Sequence, residues 1–99
     1  MFVERKVVIQ NTWGLHVRPA SALAECAGRF GGRIEIVKDG RAVDAKSPIA
    51  LLTLAAVCGS ELTVRADGDD AQAAVDAIAG LVERHFDMDK EPDVQDGDS

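Results

Sequence analysis

Four stretches of the chain are predicted to be β-strands, from alternation of apolar and polar residues, from β-branched residues or from a following turn. The alternation is clear in residues 33–38, where Ile34 and Ile36 alternate with Arg33 and Glu35. Asp39-Gly40 follows and suits the two left-handed positions of a type I′ turn, so a hairpin is predicted there. The predicted strands are 2–9, 33–38, 41–45 and 61–67. The side chains expected to face the core are Val3, Val7, Ile9, Ile34, Ile36, Leu62, Val64 and Ala66.

Two longer stretches have the 3.6-residue apolar period of a helix that buries one face. The first covers about 17–28 and is ended by Gly28 or by the Gly31-Gly32 pair. The second begins near Asp69, which has the spacing of a capping box with Gln72. The side chains expected to face the core are Ala20, Leu23, Ala27 and Phe30 in the first helix, and Ala74, Val75, Ile78, Leu81 and Val82 in the second.

A shorter apolar helix is predicted between these two, from Ser47 as N-cap and Pro48 at the first position to about Val57, before Gly59. The face expected to point inward comprises Ile49 and Leu52, with Ala56. Leu51 and Leu54 lie partly off that face, and an apolar side left over on a short helix is a candidate docking surface. The partner-docking candidates are Ile49, Leu51 and Leu54, and tighter packing is the alternative for the leucines.

The predicted elements follow the order β-α-β-β-α-β-α. Strands that are apolar on one side require helices over that side and leave the other side open to water. The pattern therefore predicts an α+β fold, a two-layer open-faced β-sandwich.

The 99 residues carry a formal net charge of −6, and most of it lies near the C-terminal end. Residues 87–99 hold six acidic residues against Lys90, whereas the rest of the chain is close to neutral. A near-neutral body lacks the basic surface that binds a phosphate backbone, so no nucleic-acid partner is expected. One domain is predicted over 1–87, followed by an acidic segment, 88–99, whose composition is typical of disorder.

No stretch has the pattern of a signal peptide or the roughly 20 apolar residues of a membrane span. The sequence therefore predicts a soluble, cytoplasmic protein without membrane insertion. Cys26 and Cys58 both fall in predicted helices and lack the close paired spacing of a metal or redox motif. Two small buried thiols and no metal site are expected.

His16 stands at the predicted start of the first long helix. Pro19 is tolerated at the first or second helical position, so His16 is expected at or beside the N-cap. A helix N-terminus offers backbone N–H groups, here those of Val17 and Arg18, and a partial positive charge that favours phosphate. The Arg18 side chain adds a cation, and imidazole, with a free pKa of about 6.5, is a nucleophile at cellular pH. For His16 alone, a polar residue at a solvated corner is the alternative.

The run Gly14-Leu15-His16-Val17-Arg18-Pro19-Ala20 resembles the phosphorylation-site motif of the HPr family, the histidine-containing phosphocarriers of the phosphoenolpyruvate-dependent phosphotransferase system. Val17 is the one residue of the run that differs from the family motif, which has alanine there. Its β-branched side chain is expected to narrow access to the imidazole and so to affect the rate of transfer. The resemblance covers roughly residues 3–86. The stretch from Ser47 to Leu54 is more similar to the nitrogen-related paralogue, NPr, than to the sugar-transport carrier.

The resemblance implies a four-stranded antiparallel sheet in the order 1-4-2-3 with three helices on one face. It implies that Nδ1 of His16 accepts a phosphoryl group from Enzyme I, that Arg18 stabilises this group, and that a downstream acceptor of the phosphotransferase system receives it. No cofactor is implied. The chain is expected to be a monomer, and a protein substrate more than a catalyst.

Ser47 occupies the place of a serine that an ATP-dependent kinase phosphorylates in some family members, so a serine kinase or phosphorylase is a further candidate partner. Kinase-regulated members usually follow this serine with Ile-Met-Gly, where this chain has Pro48-Ile49-Ala50. A regulatory interaction module, switched by phosphorylation at His16 or Ser47, is the alternative to a carrier. A generic ferredoxin-like binding module fits the topology too, but it does not explain the His-Val-Arg-Pro run.

Overall fold

Four strands and three helices follow one another in the predicted order in the computed structural model, which describes residues 1–87. The elements are β1 (Phe2–Val8), α1 (Val17–Ala27), β2 (Arg33–Lys38), β3 (Arg41–Asp44), α2 (Pro48–Leu52), β4 (Glu61–Asp67) and α3 (Ala71–Glu83). The strand bounds agree with the predicted bounds to within one residue. The acidic segment 88–99, predicted to be disordered, lies outside the described residues.

The four strands form one antiparallel sheet in the order β1-β4-β2-β3, which confirms the order implied by the resemblance. Val7 of β1 pairs with Leu62 of β4, and Ile36 of β2 pairs with Val64 of β4. Because side chains alternate between the two faces of a strand, this register places the apolar residues of all three strands on one face.

The helices cover the apolar face of the sheet. Helix α3 packs on β1 and β4, and α1 packs against α2 and α3. On the opposite face, Arg65 bonds to Glu4 through Nε (2.9 Å) and to Glu35 through Nη1 (3.5 Å). The two-layer open-faced sandwich is therefore confirmed. Within the described residues, no helix has both the length and the apolar character needed to cross a bilayer.

The hairpin between β2 and β3 has the predicted turn. Asp39 and Gly40 both have left-handed φ angles, 51° and 82°. Two consecutive left-handed residues are what a type I′ turn requires, so the local Asp-Gly signal determined this connection.

Helix α2 ends at Leu52, so the prediction that it continues to about Val57 is wrong. Arg41 of β3 donates from Nη1 to the Thr53 carbonyl oxygen (2.7 Å) and from Nη2 to the Thr53 hydroxyl (3.0 Å). Ala55 then adopts a left-handed φ of 52°, which a right-handed helix cannot include. Contacts with a strand, which no local pattern reveals, end this helix.

The predicted capping box at the start of α3 is also wrong. The N-cap is Asp70, and its side chain makes no cap hydrogen bond. Instead, Asp70 Oδ2 accepts a hydrogen bond from the backbone N–H of Gly31 (3.0 Å), and the Gln72 side chain donates to Asp76. A tertiary contact with the segment after α1 has replaced the local cap.

The two cysteines occupy different environments. Cys26 is buried in α1, as predicted. Cys58 is exposed in the turn before β4, so the expectation that it is buried in a helix is wrong because α2 ends six residues earlier.

Candidate functional site

Two loops run side by side at one end of the sheet, the first between β1 and α1 and the second between α2 and β4. Three main-chain hydrogen bonds join them. Ile9 N–H donates to Ser60 O (2.9 Å), Gly59 N–H donates to Ile9 O (2.7 Å), and Leu15 N–H donates to Ala56 O (2.8 Å). The second loop thus holds the segment that leads to His16.

Gly14 is required where these loops meet. Its φ is +71°, and a Cβ at this position would lie 2.5 Å from Ala56 O and 2.8 Å from Val57 Cα. Both contacts are with backbone, which cannot rotate away as a side chain can. Glycine therefore allows the chain to approach the second loop closely just before α1 begins.

Asn11, which was not among the predicted site residues, fixes the turn that contains Gly14. The side chain is only 3% exposed, and its Nδ2 donates to Gly14 O (2.6 Å). The Gly14 N–H in turn donates to Asn11 O (3.1 Å). The available signal was an asparagine three residues before a glycine, because Asn favours such local bonds to the backbone.

His16 is the N-cap of α1, as predicted, with an extended backbone (φ −92°, ψ −167°). Its carbonyl oxygen accepts the first helical hydrogen bond, from Ala20 N–H (2.9 Å). The imidazole is half-buried and makes no cap hydrogen bond to the helix. The side chain is therefore held at the positive end of the helix dipole without serving as its cap.

The first turn of α1 offers two backbone donors beside His16. Pro19 has no N–H and stands at the third helical position, one beyond the predicted range, where an N–H still has no acceptor inside the helix. Within residues 1–87, the N–H groups of Val17 and Arg18 have no backbone acceptor, and the Arg18 side chain is exposed. The described part of the chain contains no metal-binding group of three His, Cys, Asp or Glu side chains. The arrangement suits an anion the size of phosphate.

Ser47 is the N-cap of α2, as predicted, and Pro48 follows at its first position. The Ser47 hydroxyl oxygen accepts a hydrogen bond from Ala50 N–H (3.2 Å). Ile49, one of the docking candidates, is 75% exposed, so its side chain can contact a partner.

Leu51 and Leu54 are buried, with exposures of 0% and 4%, so their prediction as docking residues is wrong. The predicted inward orientation of Ile49 and Leu52 was wrong as well, because both are exposed, whereas Ala56 is buried as predicted. Helix α2 has only five residues, too few for an apolar period to identify its buried side. Packing against α1 sets the orientation instead.

Two exposed apolar side chains near His16 were missed. Trp13 is 59% exposed and Val57 is 64% exposed, and they lie on the two loops that meet at Gly14. Val17, next to His16, is exposed too. Exposed large apolar residues around one site are typical of a surface that binds another protein.

An open groove of about 730 Å³ runs along α1 on the side that carries Arg18. Arg18, Ser21 and Glu25 line it from α1, and Lys46 lines it from the segment before α2. Phe86, which follows α3, completes this groove and is itself buried.

His85 lies beyond the end of α3, in a left-handed turn. Its φ is 54°, and its Nε2 lies 3.0 Å from the Gln10 side-chain oxygen. It is therefore half-buried against the first loop, where a surface position at the end of the helix was expected.

Comparison with known proteins assigns the family. The family model for the "PTS HPr component phosphorylation site" matches residues 3–84. The chain is 39% identical over 84 residues to phosphocarrier protein HPr of Cupriavidus necator, covering 85% of this chain and 94% of that protein. It is 42% identical over 85 residues to phosphocarrier protein NPr of Shewanella violacea, covering 86% of this chain and 93% of that protein.

A solved structure gives the same assignment. The crystal structure of HPr-C-His from Thermoanaerobacter tengcongensis superimposes with a TM-score of 0.84 at 33% identity, covering 88% of this chain and 98% of that one. The HPr and NPr relatives are similar to this chain to nearly the same degree, so identity does not distinguish between the two branches. The chain belongs to the HPr family of phosphocarrier proteins of the phosphotransferase system.

Proposed function

We propose that His16 accepts a phosphoryl group from the phosphohistidine of Enzyme I, which takes it from phosphoenolpyruvate, and passes it to a downstream acceptor of the phosphotransferase system in the cytoplasm. The observation that carries this proposal is the position of His16 at the N-cap of α1, beside the backbone N–H groups of Val17 and Arg18. The His16 side chain makes no cap hydrogen bond to this helix. Family membership supports the choice of partners.

In the proposed step, the lone pair of His16 Nδ1 forms a bond to phosphorus while the phosphorus–nitrogen bond of the donor breaks. The donor imidazole keeps that electron pair, and the onward transfer repeats the exchange with His16 as the leaving group. The helix N-terminus and the Arg18 guanidinium stabilise the phosphoryl oxygens, which carry the negative charge. Phosphorus stays open to in-line attack because these donors contact only its oxygens.

This arrangement suits a carrier, because transfer between two imidazoles is nearly isoenergetic. A carrier must hold the group without binding it so tightly that transfer stops. One exposed guanidinium and one helix end provide moderate stabilisation of this kind.

Intact-mass measurement after incubation with Enzyme I and phosphoenolpyruvate tests the proposal. The unmodified protein should gain the mass of one phosphoryl group, which acid should remove, and His16→Ala should gain none. His85→Ala is the matched control, since it removes the other histidine, and it should be phosphorylated like the unmodified protein. Phosphorylation of His16→Ala at the normal level would contradict the assignment.

A chase experiment separates a carrier from the alternative regulatory module. Phosphorylated protein is mixed with a purified acceptor of the phosphotransferase system. A carrier loses its label to the acceptor, whereas a module that is only switched by phosphorylation keeps it. Retention of the label with every acceptor of the source cell would favour the module.

We propose that Ile49, Trp13 and Val17 contact Enzyme I, because all three are exposed apolar side chains. Trp13 and Val17 lie close to His16 in the chain, and Ile49 lies on α2, which packs against α1. Ser47 is proposed as a regulatory site on the same surface. Its hydroxyl is only part-buried while it caps α2, so a phosphoryl group added there would meet the positive end of that helix.

Ser47→Asp tests the regulatory site, with Ser47→Asn as the uncharged control, since both residues are good N-caps. We expect Ser47→Asp to weaken the affinity for Enzyme I at low salt, and the loss to shrink at high salt, because the family implies a partner that presents carboxylates. Equal affinities of the two variants at low salt would reduce Ser47 to a helix cap.

A further inference from the structure

The groove beside Arg18 lies where the chain leaves the described residues. Phe86 lines this groove and is followed, after Asp87, by residues 88–99. His85, Phe86 and Asp87 all have left-handed φ angles, 54°, 58° and 60°, so the chain turns sharply after α3 and packs against α1. The segment 88–99 is thus attached at the edge of the groove.

The segment and the groove carry opposite charges. Residues 88–99 contain five acidic side chains and one lysine, a formal net charge of −4; the acids are Asp89, Glu91, Asp93, Asp96 and Asp98. The groove is lined by two cations, Arg18 and Lys46, and one carboxylate, Glu25.

Neither cation of the groove is paired with a carboxylate within the part of the chain that the structure describes. Arg18 has no ion pair among residues 1–87. Lys46 Nζ donates to the carbonyl oxygens of Phe30 (2.8 Å) and Gly32 (3.1 Å), which are neutral acceptors. Both charges therefore remain available to attract an anionic segment.

We propose that the acidic segment 88–99 binds the groove of its own chain, with its carboxylates against Arg18 and Lys46. A chain of this length spans up to roughly 40 Å when extended, so its carboxylates can reach every residue of the groove. Attachment at the groove edge gives the segment an effective concentration on the order of millimolar, so contacts that are weak individually become populated. Charge attraction of this kind requires no regular structure in the segment and is reduced by salt.

For the proposed carrier, this contact places the segment in competition with the phosphoryl group and with Enzyme I for Arg18. That consequence rests on the proposed function, whereas the binding of the segment does not. The test therefore uses a readout that is independent of phosphorylation.

The test places a nitroxide spin label at the end of the full chain, on Ser99→Cys in a Cys58→Ser background. Cys26 stays unlabelled because it is buried, and this burial raises the pKa of its thiol. The matched control has the same label and the same length but an uncharged segment. Its substitutions are Asp89→Asn, Glu91→Gln, Asp93→Asn, Asp96→Asn and Asp98→Asn.

The measurement is the intensity of backbone amide signals in ¹⁵N NMR spectra, which a nearby nitroxide reduces. At low salt we expect the signals of Ser21 and Ala22, in the groove, to lose at least twofold more intensity in the charged protein than in the control. The amides of the hairpin turn, Asp39 and Gly40, lie outside the groove and should be affected equally in both. At high salt the groove amides should lose the same amount of signal in the two proteins. This combination of results supports the proposal.

Equal signal loss in the charged protein and the control would overturn the proposal, because attachment alone would then explain it. A mixture of labelled chains without ¹⁵N and ¹⁵N-enriched chains without label detects contacts between copies. Signal loss in the groove of the enriched chains, equal to that in the labelled ones, would show that a second copy is the occupant and would also overturn the proposal. If His16 is not phosphorylated, the proposed function fails, but the spin-label measurement still decides whether the segment binds the groove.

Discussion

Helices α1 and α2 both begin with an N-cap residue and a proline in the first turn, but only one of the two N-cap side chains caps its helix. Ser47 accepts a hydrogen bond from Ala50 N–H, so the start of α2 is satisfied from within. His16 makes no such bond, and among residues 1–87 the N–H groups of Val17 and Arg18 have no backbone acceptor. A helix start that is capped by its own side chain thus contributes to the fold, whereas one without such a cap, beside a cation, can take part in chemistry.

The two helix starts also depend on different parts of the molecule. The start of α1 is held in place by the loop pair, that is, the β1–α1 loop and the α2–β4 loop. These loops meet at Gly14 and through the hydrogen bond from Leu15 N–H to Ala56 O. The start of α2 depends on its own cap and on the burial of Leu51. Substitutions at these positions can therefore break each start separately.

The largest loss of stability is expected from Leu51→Ala, which removes the main buried side chain of α2. We expect the free energy of unfolding to fall by about 2–5 kcal/mol, the usual cost of a cavity left by a buried leucine. Ile49→Ala, on the exposed side of the same helix, should cost less than about 0.5 kcal/mol. Urea unfolding of both variants measures the difference, and equal losses would contradict the orientation of α2.

Gly14→Ala is expected to disrupt the start of α1. A left-handed φ and a clash with Ala56 O should together lower the free energy of unfolding by about 2–4 kcal/mol and displace His16. Gly31→Ala is the matched control, because a Cβ there meets nothing within 4 Å. Thermal unfolding gives the comparison, and a Gly14→Ala protein as stable as the control would show that the loops can separate without cost.

The two N-cap side chains should differ in how much they stabilise the protein. Ser47→Ala should lower the free energy of unfolding by about 1 kcal/mol, because it removes a cap hydrogen bond. His16→Ala should lower it by less than Ser47→Ala does, since the imidazole makes no cap hydrogen bond that the substitution would remove. A larger loss for His16→Ala than for Ser47→Ala in the same denaturation assay would reverse the assignment of roles.

The smallest effect on stability is expected from Arg18→Lys, whose side chain is exposed. The melting temperature should hardly change, but phosphoryl transfer from Enzyme I should slow by about tenfold, because an ammonium cannot contact two phosphate oxygens as a guanidinium does. Rapid-quench measurement of phosphorylated His16 in both proteins provides the test. Equal rates would mean that Arg18 is only a solvated residue of α1.

Much of the fold could be predicted because it is determined locally. The alternation of Ile34 and Ile36 defined β2, and Asp39-Gly40 defined the turn that follows it. Helix α1 is long enough for its period to identify the buried side. The place of His16 and Arg18 at the start of α1 could be predicted because both belong to one continuous motif, and their roles remain predictions.

The remaining features depend on contacts between distant residues, which no local pattern records. The end of α2 is set by Arg41 on a neighbouring strand, and the side chain of Asp70 turns to Gly31 instead of capping α3. Trp13 and Val57 reach the site because the loops that carry them meet in space. Their part in the surface around His16 could be recognised only once the loop pair was known.

The loop pair determines when, during synthesis of the chain, His16 can be held in its final position. The phosphorylation motif and the whole of α1 emerge from the ribosome before Ala56, Gly59 and Ser60, which hold the loop before His16. Contacts between distant parts of a chain form late, because closing the intervening chain costs entropy. A nascent chain that stops before Ala56 would therefore carry the complete motif without the anchors that position its histidine.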